Sequence, residues 1–341
     1  MDFLKIDGSY GEGGGQILRT AITLSSITKI PIQVDNIRKN RRVPGISYQH
    51  LTAIKLLGRI CNADIQGLKI GSTSIKFSPN DFEDVSLSEN IGTAGSISLI
   101  FQVLIPAVSI SKKNLELSIT GGTDVPWSPT SNYTKYVLSE AYSRMGINFS
   151  MEIIKRGYYP KGGGLVHLKV TPSKMLNSVL LTKRKTKSVK LYCTYSDLSS
   201  DRINSEVQLA EELLKDANFE IESEIKKETS LSSGGSMLVY SHDSSSITGS
   251  DGLTDTTPEF AKSISNNFIR NYLGVDNHLS DMIVLPASLV DDTSVYTIKE
   301  ISKHLETNLY VTSKITGCKY GIGKLEDGFE VRIKGNSNSI I

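Results

Sequence analysis

The chain has 341 residues, 38% hydrophobic and 22% charged, a balance that suits a globular protein with a real core and excludes a disordered or fibrous one. Lysine and arginine number 38 against 36 aspartate and glutamate, so the net charge of +2 excludes a basic surface spread over the molecule, and any nucleic-acid site must be a local patch. Three scattered cysteines, Cys61, Cys193 and Cys318, form no C-x-x-C pair, which argues against zinc or dithiol redox work and fits reduced thiols in a cytoplasm.

In chain order, Phe3 to Ile6 reads as a strand that runs into Gly8-Ser-Tyr-Gly-Glu-Gly-Gly-Gly15, after which Ile17, Leu18, Ala21 and Leu24 recur at helical spacing. Leu51, Ile54 and Leu57 share one face of a helix over His50 to Ile60, and Gly67 to Ile70 and Ser74 to Phe77 are strand-like. A similar order follows: strand Val85 to Leu87, Gly92-Thr-Ala-Gly-Ser96, an apolar helix ending near Pro106, and strand Leu115 to Ile119. A helix over Tyr133 to Met145 leads to strands Met151 to Lys155 and Leu165 to Val170. The run Ile97 to Ile110 is too short for a bilayer and is interrupted by Gln102, Pro106 and Ser109; Met1 to Gly8 lacks the pattern of a signal peptide. A protein without membrane segments is expected.

Three related α/β units emerge, each of βαβαββ type. Near Thr182 the texture changes to Lys-Arg-Lys-Thr-Lys, followed by a strand Val189 to Tyr195, a charged helix Ser205 to Ala217, a Ser/Gly stretch and a helix Pro258 to Tyr272. The spacing predicts an insertion at 182–275, after which dense apolar signals return at Met282 to Leu289 and an apolar strand is expected at Leu309 to Val311.

The first glycine cluster opens a helix, a place where backbone N–H groups bind phosphate well, yet it spells neither the dinucleotide fingerprint nor a P-loop. Glu12, Gln16 and Arg19 meet around its first turn, where a solvated surface is the simpler reading. Arg38, Lys39, Arg41 and Arg42 crowd a loop closed by Pro44-Gly45, and arginine forks suit phosphate oxygens. Gln49 and His50 then open the next helix. Trp127, the only tryptophan, sits in Gly121-Gly-Thr-Asp-Val-Pro-Trp-Ser-Pro129, which reads as an ordered turn. Arg156-Gly-Tyr-Tyr-Pro-Lys-Gly-Gly-Gly164 is a basic, aromatic glycine loop or a hairpin connection. None of the five histidines has the spacing of a metal pair on one helix, and no Ser sits in a Gly-x-Ser-x-Gly elbow. On its own, His304 reads more readily as structural than catalytic.

In their order along the chain, Asp7-Gly-Ser-Tyr-Gly-Glu-Gly-Gly-Gly-Gln-Ile-Leu-Arg19, Ile37-Arg-Lys-Asn-Arg-Arg-Val-Pro-Gly45, Gln49-His-Leu-Thr-Ala53, Gly92-Thr-Ala-Gly-Ser96, Gly121-Gly-Thr-Asp124, Gly157-Tyr-Tyr-Pro-Lys-Gly-Gly-Gly164, His278-Leu-Ser-Asp-Met-Ile-Val-Leu-Pro286 and His304-Leu-Glu-Thr-Asn308 resemble the RNA 3′-terminal phosphate cyclases. The resemblance implies an α/β chain of the α+β type. Its large domain, at 1–181 and 276–341, would hold three βαβαββ repeats like the C-terminal domain of translation initiation factor three, a fold shared with enolpyruvyl transferases, with a smaller α/β domain inserted at 182–275.

It further implies ATP-dependent closure of an RNA 3′-phosphate to a 2′,3′-cyclic phosphate, with His304 as the nucleophile that carries AMP. By the same resemblance Arg19, Arg38 and Arg41 meet phosphate or the RNA end, with Gln49 beside them; Glu12 holds a divalent metal, Mg or Mn; Gln102 and Asp281 neighbour the nucleotide; Pro126 and Tyr133 wall its pocket. Met282 stands where the cyclases often carry glutamine, and no adenine contact carries over around Gly249 to Thr257. The partner is RNA with a 3′-phosphate end, no membrane is involved, and a homo-oligomer is left open. The alternatives are a relative of the same family that lacks the histidine and serves ribosome biogenesis without catalysis, and an enolpyruvyl transferase.

Overall fold

A computed structural model describes residues 2–340. The first sheet has the order β1-β2-β4-β3, from β1 (Leu4–Asp7), β2 (Ile32–Asp35), β3 (Asp64–Gln66) and β4 (Ile75–Ser78), with α1 (Gly15–Thr28) between β1 and β2 and α2 (Tyr48–Ile60) between β2 and β3. β1 and β2 are parallel, and the remaining pairs are antiparallel. The residues expected to form a strand from Gly67 to Ile70 instead turn the chain. Gly67 and Gly71 both have positive φ (83° and 78°), which ends the strand at Gln66.

The second sheet, β5-β6-β8-β7, repeats this connectivity. β5 (Val85–Asn90) leads through α3 (Ile97–Ile110) to a parallel β6 (Leu115–Gly121). α4 (Ser131–Tyr133), a π-wound turn at Thr134–Leu138 and α5 (Ser139–Arg144) run on continuously before the antiparallel β7 (Asn148–Lys155) and β8 (Gly164–Thr171). Ser96 caps α3 by accepting from Leu99 N at 3.3 Å. Every residue of α3 except Gln102 is buried, so this apolar run is a core helix with a single polar side chain turned outward.

The third sheet, β15-β16-β14-β9, is assembled from distant segments. β9 (Leu180–Leu181) pairs in parallel with β14 (Thr293–Ile298), and residues between them build β10 (Ser188–Ser196), α6 (Ser200–Asp216), β11 (Glu220–Lys227), β12 (Gly234–Asp243), β13 (Ser246–Leu253) and α7 (Phe260–Arg270). After them come α8 (Asn277–Met282) and α9 (Val284–Ala287) before β14, then α10 (Lys303–Thr316), β15 (Lys319–Leu325) and β16 (Gly328–Lys334). The apolar segment Leu309 to Val311 is helical, not a strand. Ser302 caps α10, and Leu305, Leu309, Thr312 and Ile315, spaced by three or four, are buried on one face of it. Packing of that face against α1 overrides the strand preference of the short run.

The intervening segment forms a fourth sheet, β11-β10-β12-β13. One of its faces buries Val189, Leu191, Val239, Ile203, Val207, Ile264 and Phe268 with α6 and α7 in a core of its own, while Leu238, Tyr240 and Ile247 join the main core. The three cysteines are free and buried. Among the described residues no helix is long and apolar enough to cross a membrane.

Arg156, at the end of β7, joins the two cores. Its guanidinium is 2% exposed, bonds Asp124 Oδ2 at 3.0 Å and Asn132 Oδ1 at 2.8 Å, and pairs with Glu228 of the intervening segment. Burial works against its charge, but the Asp124 and Glu228 carboxylates more than offset this and hold it above its ordinary value. Removing one member strands a buried charge. Arg156→Leu is therefore expected to lower stability by about 3–5 kcal/mol, read from urea unfolding; a loss within error would remove this residue from the account.

Candidate active site

α10 begins where the chain leaves β14, so His304 stands in its first turn with a half-exposed ring. Asn308, one turn on, accepts from Thr20 Oγ1 at 2.6 Å and donates to the Asp281 carbonyl oxygen at 2.8 Å. These bonds dock α10 on α1 and bring the end of α8 beside His304.

Gln16 completes the assembly from α1. Its amide nitrogen donates to Asp281 Oδ2 at 2.6 Å, which turns its amide oxygen to His304 Nδ1. An amide oxygen only accepts, so Nδ1 carries the ring proton and Nε2 keeps its lone pair. Nε2 lies 2.9 Å from Glu12 Oε2, a buried carboxylate oxygen that makes no hydrogen bond, while the other oxygen of Glu12 pairs with Arg41. The contact is an ion pair when the ring is protonated, and with a neutral ring it sets a carboxylate beside the Nε2 lone pair, two electron-pair donors turned to the same cation-seeking spot.

Burial holds the His304 imidazole below its ordinary value; Arg19, His278 and Arg41 push the same way, and the Glu12 carboxylate opposes them. Burial pushes Asp281 up to about 6, against the pull of His278, the Gln16 bond and Arg19. Burial also draws Arg19 down to about 10, countered by Asp281 and Glu12. At neutral pH the set is a neutral imidazole, an ionised aspartate and a charged guanidinium.

A cleft of about 250 Å³ opens from this set, lined by His304, Asp281, Arg19, Gln102, Pro126 and His278. Beside it, α1 starts from Gly14 with no side-chain cap and no acid in its first turn, which leaves backbone N–H groups free to meet an anion. Gly15 is obligatory there, because a Cβ would lie 2.0 Å from His50 Nε2. That nitrogen is buried and has no hydrogen-bond partner, and burial, with Arg19 and Arg38, keeps His50 well below its ordinary value. Arg41 Nη2 flanks Gly14. Free N–H groups and two guanidiniums around this turn make a cradle for phosphate oxygens.

Of the residues singled out from the sequence, His304, Asp281, Arg19, Gln102 and Pro126 share the cleft, and Glu12 and Arg41 adjoin it through the His304 contact. Arg38 instead braces its own loop, donating to the Gly45 carbonyl at 2.8 Å, and Gln49 accepts from Ser96 N at 3.1 Å. Tyr133 is not a wall of the pocket. It is fully buried, its hydroxyl donates to Asp276 at 2.8 Å, and its ring meets His278 edge-on at 5.8 Å, so it supports the cleft from behind. Met282 does line the cleft. Sequence reasoning assigns no role to Gln16, Asn308 or His278, nor to Asp251, Thr256 and Thr257 of the intervening segment, all three of which line the cleft. Gln16 carried a faint signal, its helical proximity to Glu12 and Arg19.

Among the described residues no three His, Cys, Asp or Glu side chains gather as a metal cage. Glu12 Oε2, buried and in contact only with His304 Nε2, nevertheless fits a divalent cation of the kind that takes one carboxylate and completes its shell with water and substrate phosphates.

The family profile "RNA 3′-terminal phosphate cyclase" matches residues 10–322. Curated relatives of that name include one from Methanococcoides burtonii, 37% identical over 97% of this chain and all of its own length, and one from Methanosarcina barkeri, 38% identical over 97% of this chain and 99% of its own. Another, from Pyrococcus abyssi, is 35% identical over 92% of this chain and 93% of its own. Among solved structures, an EPSP synthase from Acinetobacter baumannii aligns with 98% of this chain, which spans 65% of that protein, at 12% identity and a TM-score of 0.29; so loose a superposition carries no argument.

The electrostatics make a prediction of known sign. The Glu12 carboxylate is the group that holds the His304 value up, so Glu12→Gln should move its titration midpoint further down, measured by NMR of the imidazole. An upward move would contradict this arrangement.

Proposed function

Because the chain belongs to the RNA 3′-terminal phosphate cyclase family, we propose that it converts an RNA 3′-terminal phosphate to a 2′,3′-cyclic phosphate at the expense of ATP, with His304 carrying AMP between the two substrates. The observation that carries this reading is the Asp281–Gln16–His304 chain, which leaves Nε2 unprotonated at the edge of an arginine-lined cleft. Neutral imidazole is a competent nucleophile near pH 7 without a separate base.

Nε2 attacks the α-phosphorus of ATP, a P–N bond forms and the bond to pyrophosphate breaks. Gln16 Oε1 faces the Nδ1–H of the ring, which becomes cationic, and Asp281 keeps that amide in register. A 3′-phosphate oxygen of the RNA then takes the AMP, the P–N bond breaks, and His304 returns to its starting state. The ribose 2′-OH attacks the activated 3′-phosphorus and AMP departs.

Charge builds on phosphate oxygens at each transfer, so Arg19, Arg41 and the free N–H groups of α1 act by fixed electrostatic stabilisation. Gln102 and Pro126 border the space for the nucleoside, and the Arg38 loop presents Arg41 toward the RNA end. A divalent metal, Mg or Mn, held by Glu12 would neutralise part of the phosphate charge when bound.

Incubation with α-labelled ATP and metal should leave label on the protein that survives denaturation and base but not acid, and His304→Ala should abolish it; full labelling of the variant would sink the reading. The labelling rate should fall as pH drops through about 6, where Asp281 gains a proton and its bond from Gln16 loses the charge that strengthens it. Arg41→Ala should weaken capture of a 3′-phosphate end and flatten its salt dependence, read from binding titrations at several ionic strengths.

A further inference from the structure

Under the cyclase reading the RNA 3′ phosphate must reach the His304 ring, beside which Glu12 and Arg41 stand. Two residues before Glu12, Tyr10 projects from the glycine loop with 42% of its surface exposed. Its ring stacks on Tyr310 of α10, centroid to centroid 3.7 Å and 16° from parallel, so one face is backed by a second ring. Tyr310 lies six residues along the helix from His304, about 9 Å of axial rise, a separation that a nucleotide or two covers. Tyr320 on the edge strand β15 is 44% exposed and lies within electrostatic reach of Tyr10.

The surroundings match a polyanion. Asn40 reaches the Ser9 and Glu12 carbonyls at 3.4 and 3.5 Å, which lays the loop bearing Lys39, Arg41 and Arg42 against the Tyr10 loop. Lys314 stands 5.7 Å over the Tyr310 ring, and Lys303 is exposed in the first turn of α10. Glu306 is an acid near Tyr320. A partly exposed, stacked aromatic pair rimmed by cations is the arrangement that holds unpaired bases irrespective of their identity.

We propose that Tyr10, backed by Tyr310 and flanked by Tyr320, is a stacking platform for the bases just upstream of a single-stranded RNA 3′ end. The proposal rests on the cyclase reading for the direction of approach, and it gives the enzyme a preference for chains over mononucleotides. Because every base has a stackable face, the platform grips without reading sequence.

The test is fluorescence anisotropy with a 5′-labelled, 3′-phosphorylated oligouridylate, with uridine 3′-phosphate as competitor, on the full chain. Tyr10→Ala should weaken the oligonucleotide about tenfold and leave the mononucleotide within about twofold. Tyr10→Phe should restore the oligonucleotide, and Tyr320→Ala, which leaves the glycine loop untouched, should weaken it in the same length-dependent way. Unchanged oligonucleotide binding in Tyr10→Ala, or an equal loss for both ligands, would overturn the platform. The wild-type histidine label, measured in parallel, separates the readings: without it the nucleotidyl-transfer chemistry fails while Tyr10-dependent binding still stands.

Discussion

A carboxylate buried at Asp281 dictates how the site is built. Placed where burial raises its value to about 6, it accepts the amide of Gln16, and that one bond fixes which end of the amide meets His304. The choice of ring tautomer follows from it, and with it the nitrogen that keeps a lone pair. The same requirement explains why α1, α8 and α10 converge, since Thr20, Asn308 and the Asp281 carbonyl form a second line of bonds behind the first. Second lines of this kind hold reacting groups within the narrow tolerance that transfer chemistry demands.

The sequence made the architecture readable because most elements declare themselves locally. Alternation marks β6 and β8, a continuous apolar run marks α3, and glycine clusters mark the turns before α1 and α3. It misled where tertiary packing outweighs local preference. Leu309 to Val311 reads as a strand until α1 covers its helical face, and Gly67 to Ile70 reads as a strand until two positive-φ glycines are recognised as a turn.

Site residues followed the same division. His304, Asp281 and Arg19 came to attention through motif order, whereas no local spelling could show that Gln16 would bridge two of them across long stretches of chain. Tyr133 shows the converse: an aromatic near a motif is more often a support than a surface, and here its hydroxyl is committed to Asp276. Asp251 of β13, with Thr256 and Thr257 just beyond that strand, reaches the cleft where its carboxylate accepts from Thr130 N at 2.7 Å, a long-range contact that leaves no mark in composition. Arg156 holds that arrangement together through Asp124 and Glu228, so the wall of the cleft depends on an ion cluster outside it.

The uncapped start of α1 reaches beyond recognition. The opening amides of a helix lack internal partners, and under the proposed function a substrate phosphate would supply them. By linkage, a ligand seated there would stabilise the segment that it meets. Under the proposed function, stability of the glycine segment would then rise with the fraction of sites that hold a phosphate.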